Sequence, residues 1–240
     1  MLAGVGDREV ARVGAMLAGV GLALALVYLV QALLGSPSST LHRLVDLDAE
    51  GTLAAWYTSA QLLLAGMLFF LLAGGSAGGT PGRLEAAVGS AGFLRLVGAA
   101  LLFLSLDETA GLHELISVSL RRFEAFPRFT GGHGLWVPFL LIGVAGFVGA
   151  TRRSWRLLWR NARAGTLLMA AGLGVGLLGA VGLEIVSYEL IRPAGARRAY
   201  VVEVAAEEGL EMLGATLLLI GSLRVYLTAW TVAASRDSEP

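Results

Sequence analysis

Apolar residues in this chain run together in long blocks and do not alternate with polar ones as they do in soluble amphipathic elements. Six windows of roughly 20 apolar residues, the length needed to cross about 30 Å of hydrocarbon, fall near Arg12–Leu34, Thr52–Gly74, Phe93–Leu120, Leu135–Ala150, Ala164–Leu190 and Tyr200–Trp230. The pattern predicts an all-α, polytopic membrane protein, a single bundle of about six transmembrane helices forming one domain over residues 1–240. The first window is longer and less interrupted than a cleaved signal peptide and is read as a retained span. The last two exceed a perpendicular crossing, which predicts tilt or ends that protrude into water.

The segments between the windows carry the orientation signal. Arg8, Arg12, Arg83, Arg236 and the run Arg152, Arg153, Arg156, Arg160, Arg163 fall on the side of both termini. The opposite side holds Arg43, Arg121, Arg122, Arg128, Arg192, Arg197 and Arg198. The 152–163 cluster places both termini in the cytoplasm, in a bacterial plasma (inner) membrane, with Arg95 and Arg224 snorkelling at cytoplasmic helix ends. Gly74–Gly82 has linker composition. Trp155 and Trp159, four apart and flanked by arginines, predict a short interfacial helix that anchors on lipid headgroups. In the fifth window, Gly172 and Gly176 form a small-xxx-small pair suited to close helix approach.

Composition narrows the chemistry. Of 240 residues 56% are hydrophobic and only 15% charged, against about 25% charged in soluble domains, and the mean hydropathy is +0.72. The net charge of +0 and the absence of a basic stripe exclude nucleic acid as a partner and leave membrane lipids. All 18 basic residues are Arg, so lysine Schiff-base chemistry is excluded. Cysteine is absent, which removes disulfides, thiolate nucleophiles and thiolate ligands.

Against this background the acids stand out. A charge near the centre of a membrane helix costs about 3 kcal/mol on insertion scales and marks a functional site by default. Asp107, Glu108, His113 and Glu114 sit in the third window, Glu184 in the fifth, and Glu203, Glu207, Glu208 and Glu211 in the sixth. At a rise of about 1.5 Å per residue, Asp107 lies about 18 Å above Arg95, Glu114 about 10 Å further, and Glu211 about 12 Å below Glu203. All therefore belong to the outer half of the membrane. On a continuous third helix Asp107, Gly111 and Glu114 share one face, and Glu203, Glu207 and Glu211 share another on the sixth. Antiparallel packing would let the two faces meet.

So many carboxylates in a dry interior need protons, a metal or water. Carboxylates with one imidazole suit a divalent metal such as Fe, Mn or Zn, and predict Asp107, His113, Glu114, Glu184, Glu207 and Glu211 as ligands with Glu108 and Glu208 as catalytic bases. Bundle di-metal sites use Glu-x-x-His, and this chain has His113-Glu114 instead. The histidine triad and His-x-x-x-His pair of seven-span zinc hydrolases of the alkaline ceramidase type are likewise not matched. Asp46-Leu-Asp48-Ala-Glu50-Gly51 opens like a calcium loop, but its twelfth position is Tyr57, so it reads as a solvated helix entry. His42 and His133 read as interfacial residues beside loops.

Three functions fit this pattern. The first is a metal-dependent membrane hydrolase or oxidoreductase acting on a lipid-borne substrate. The second is a transporter or channel relaying protons or cations through the same acids, disfavoured by apolar inner halves. The third is a non-catalytic subunit of a larger membrane complex.

Overall fold

A computed structural model of the chain describes residues 6–35, 39–49, 51–74, 88–120 and 134–236. Most of the 74–82 linker, Glu50, His133, Arg83, Arg121, Arg122 and Arg128 lie outside the described residues. The described residues are mostly helical and contain no strand. Nine helices are used below: α1 (Asp7–Leu34), α2 (Ser39–Val45), α3 (Leu53–Ala73), α4 (Ala91–Ala110), α5 (Leu112–Leu120), α6 (Val137–Ala150), α7 (Arg152–Asn161), α8 (Arg163–Ile191) and α9 (Arg197–Arg236). Within α8, Leu178–Leu183 and Ser187–Ile191 are wound as π-helix.

Asp7–Leu34, Leu53–Ala73, Arg163–Ile191 and Arg197–Thr231 are each long and apolar enough to cross a membrane. Their outward surfaces, and that of α6, carry large apolar side chains such as Met16, Leu22, Ile142 and Leu190. Together these features identify a helical membrane protein.

The third window is not one helix. Gly111 adopts φ 56° and ψ 38° and caps α4, its N–H donating to the Asp107 carbonyl at 2.8 Å. This left-handed turn is open to glycine at no steric cost. It redirects α5, so Asp107 and Glu114 do not share one helix face.

At the centre of the bundle, α9 packs on α8, α1 and α3, and α3 packs in turn on α4. The α8–α9 seam is made of glycine. A Cβ on Gly165 would stand 2.8 Å from the Gly221 carbonyl, one on Gly172 2.7 Å from that of Gly214, and one on Gly179 2.8 Å from that of Glu207. The seam thus runs at a seven-residue spacing and brings backbone against backbone. Gly176, which the sequence pairs with Gly172, joins the seam through its backbone: a Cβ on Gly214 would stand 2.8 Å from the Gly176 nitrogen and 2.9 Å from the Gly172 carbonyl. On the other flank, Ser59 and Ser105 exchange hydrogen bonds between α3 and α4, each hydroxyl donating to the other's carbonyl at 2.8 and 2.9 Å. Thr216 of α9 donates to Gln61 Oε1 of α3 at 2.7 Å, satisfying a buried amide oxygen.

Helix α6 behaves differently. Its 14 residues, about 21 Å long, include a single buried one, Val137. Positions 143, 146 and 149 are glycines with open space where a Cβ would go. α6 is held at its ends: Trp136 lies against His113 with ring centroids 5.0 Å apart, and Phe147 against Trp155 at 6.1 Å. Between those ends a groove remains.

Candidate functional site

That groove is one wall of a partly open cavity of about 1060 Å³ lined by α3, α4, α5, α6, α7, α8, α9 and the 47–52 segment. Its long middle section is apolar, with Leu62, Leu101, Leu104, Phe139, Met169 and Leu173 among the lining residues. Asp107, Glu108, His113, Glu114, Glu184, Glu207, Glu208 and Glu211 all line it at the end marked by Trp136. The two acid-bearing stretches, about a hundred residues apart in the chain, face one space.

The break at Gly111 organises the first wall. Asp107 Oδ1 accepts from the His113 backbone N–H at 2.8 Å, and Oδ2 lies 3.1 Å from His113 Nδ1. Both carboxylate oxygens are thus committed to one histidine, fixing the ring and making Nε2 the nitrogen through which it would ligate or carry a proton. Trp136 packs on that ring, and its Nε1–H donates to Glu184 Oε1 at 3.3 Å.

The second wall comes from the π-wound part of α8 against α9. Extra residues in the turn rotate the following side chains, and such bulges recur at functional sites. Here they bring Ser187 to α9, where its hydroxyl donates to Glu203 Oε2 at 3.0 Å. Glu203 is 5% exposed and stands one helical turn from Glu207 on the same face of α9. Neither carboxylate carries a donor when ionised, so a proton or a cation is what lowers the cost of burying two of them a turn apart. Among the described residues, Glu203 Oε1 and Glu184 Oε2 are buried with no hydrogen-bond partner.

Arg192 lies at the same end of the cavity. Its guanidinium stacks between Tyr188 and Tyr200, 4.3 and 4.7 Å from the ring centroids, while Nε donates to Ser187 Oγ at 3.2 Å and Nη2 to the Tyr200 hydroxyl at 3.1 Å. Tyr200 donates to Asp48 Oδ1. A hydrogen-bonded chain therefore runs from exposed Asp48 through Tyr200, Arg192 and Ser187 to buried Glu203.

Sequence reasoning missed Trp136, Ser187, Arg192 and Tyr200 as site residues, and read Asp48 as part of a solvated loop. A Tyr, Arg and Tyr within thirteen residues of an acid-rich span was the available signal. Elsewhere in that loop Asp46 Oδ1 accepts from the Asp48 N–H at 3.2 Å, and His42 Nε2 lies 3.7 Å from Asp46. At the other face, Arg224 pairs with Asp7 at 3.2 Å. No three His, Asp or Glu groups among the described residues are gathered at metal-binding geometry.

The class defined so far is a helical membrane protein with an acid-lined internal cavity. The chain belongs to the family described as Domain of unknown function (DUF8692), whose model matches residues 14–226. Comparison with curated proteins and with solved structures finds no match.

Proposed function

We propose that this protein is a six-span integral membrane protein of the bacterial inner membrane, with both termini cytoplasmic, whose outer-half chamber takes up a divalent metal and acts on a lipid-borne substrate. One observation carries the reading: seven carboxylates and His113 line one end of a cavity whose middle section is apolar, and among the described residues two carboxylate oxygens at or beside it are buried without partners. Burying carboxylates without compensating charge is costly, and a divalent cation, Fe, Mn or Zn, satisfies several at once. His113 through Nε2, Glu114, Glu184, Glu207 and Glu211 would hold it, after side-chain movement that draws them together. Asp107 serves as the carboxylate that orients His113. A metal bound there would supply Lewis acidity or an activated water. Glu108 and Glu208 line the same cavity as general bases, and the apolar section receives the hydrocarbon part of the substrate.

Metal analysis of purified protein before and after reconstitution with Fe, Mn or Zn tests the proposal. About one metal per chain, lost in Glu184→Gln and Glu211→Gln variants that still fold, is the expected result. No metal in either preparation overturns it.

A second reading, translocation of protons or cations, is favoured by the hydrogen-bonded chain from Asp48 to Glu203, which links the outer face to the acids. Proteoliposome flux abolished by Glu203→Gln, in protein that binds no metal, would replace the first reading with this one.

A further inference from the structure

The acid end accounts for only part of the cavity. At the opposite end it is lined by Trp155, Arg156 and Trp159 of α7, the helix that carries the arginine cluster. Phe93, at the inner end of α4, meets Trp155 with ring centroids 5.2 Å apart. Asp107 lies fourteen residues further along that helix, a separation of about 21 Å. One leaflet of hydrocarbon is about 15 Å deep, so the cavity reaches beyond the bilayer midplane.

Two features of the inner end point to a ligand there. Trp155 Nε1–H is buried and has no hydrogen-bond partner among the described residues. A tryptophan N–H can only donate, so this site calls for an acceptor. Arg156 borders the same end, and among the described residues no carboxylate pairs with it. Guanidinium and indole donors together suit an anionic oxygen acceptor, whereas the far end, crowded with carboxylates, repels one. Between the two ends, Gly143 of α6 lines the cavity, and among the described residues nothing lies within 4 Å of where its Cβ would go.

We infer that the cavity holds one membrane lipid with an acidic headgroup, its anionic oxygens on Arg156 and Trp155 at the cytoplasmic end and a hydrocarbon chain running along α6 toward the acid chamber. This rests on the proposed membrane orientation and deepens the lipid-borne substrate of the preceding section: what reaches the acids is the far end of a chain, not the head. Such a lipid enters sideways from the inner leaflet, between α6 and the rest of the bundle.

The test uses full-length protein in nanodiscs of phosphatidylcholine, with or without phosphatidylglycerol carrying a photoactivatable group at the end of one chain. Native mass spectrometry should find one retained phosphatidylglycerol per chain, and cross-links should map to the outer parts of α4 and α6, around Leu104 and Phe139. Arg156→Gln combined with Trp155→Phe should weaken retention about tenfold or more, the order expected when a charge-assisted contact and a donor are lost together. Gly143→Phe, which fills the groove where there is room for it, should abolish retention without lowering the melting temperature. Equal retention of phosphatidylcholine, cross-links at α7 instead of α4 and α6, or full retention in the Arg156/Trp155 variant would each overturn the inference. Glu184→Gln and Glu211→Gln should keep the lipid, so failure of metal binding and failure of lipid binding are separable.

Discussion

Two sets of glycines in this molecule do opposite things. On α8 and α9, Gly165, Gly172, Gly179, Gly214 and Gly221 bring two backbones into contact, where added Cβ atoms would meet backbone at 2.7–2.9 Å. On α6, Gly143, Gly146 and Gly149 face space with nothing within 4 Å. The residue type is the same and the spacing is comparably regular. What differs is the neighbour: α8 and α9 are joined by a short connection and pack along their length, whereas α6 has one buried residue among its 14 and makes aromatic contacts near its ends. Inside a membrane there is no hydrophobic drive between helices, so association depends on close van der Waals approach. Glycine at a contact provides that approach, and Gly143, away from one, leaves room on the cavity wall.

The largest expected effect breaks the closed side. Gly172→Val places branched carbons against the Gly214 carbonyl and Leu218 N, and should destabilise by about 3 kcal/mol or more, seen as a lost cooperative melt in detergent. Next comes the chemistry of the open side. Asp107→Asn weakens the hold on the His113 ring and should lower affinity for an added divalent metal by about 10–100-fold, with little change in melting temperature. A smaller loss is expected on the α3 flank of α9, where Thr216→Val leaves the buried Gln61 oxygen without its donor and should cost about 1–2 kcal/mol. The smallest effect sharpens the contrast with Gly172. Gly143→Ala should be neutral or stabilising by up to about 1 kcal/mol, because the new methyl meets nothing and helix propensity improves. If Gly143→Ala were as damaging as Gly172→Val, α6 would have to be packed more tightly than the groove allows.

Much of the helix layout was legible because about 20 consecutive apolar residues match the thickness of a bilayer and exceed what a soluble helix can bury on one face. The acids were legible for the same reason, since a charge inside such a window is conspicuous. The break at Gly111 was not, because Gly111 fits the helical period of Asp107 and Glu114 and nothing local distinguishes a capping glycine from an interior one. The seam was legible in part: the Gly172/Gly176 pair brackets Gly214, whereas the choice of Gly165 and Gly179 as its further contacts was not legible. That choice depends on which side of α8 meets α9, which the sequence of α8 does not contain.

By itself, the sequence determined that this is a helical membrane chain, that its chemistry excludes thiols and lysine, and how far apart the acids of one helix stand along its axis. That separation follows from counting residues along a helix of fixed rise. Only the tertiary structure decided that these acids open onto one cavity, that Asp107 is committed to His113, and that Trp136, 48 residues from Glu184, and Asp48, 152 residues from Tyr200, belong to the same site. Those pairings join side chains on separate segments, and helix rotation and the π-wound turns of α8 set them. Neither is written in any one segment; both emerge when the segments pack.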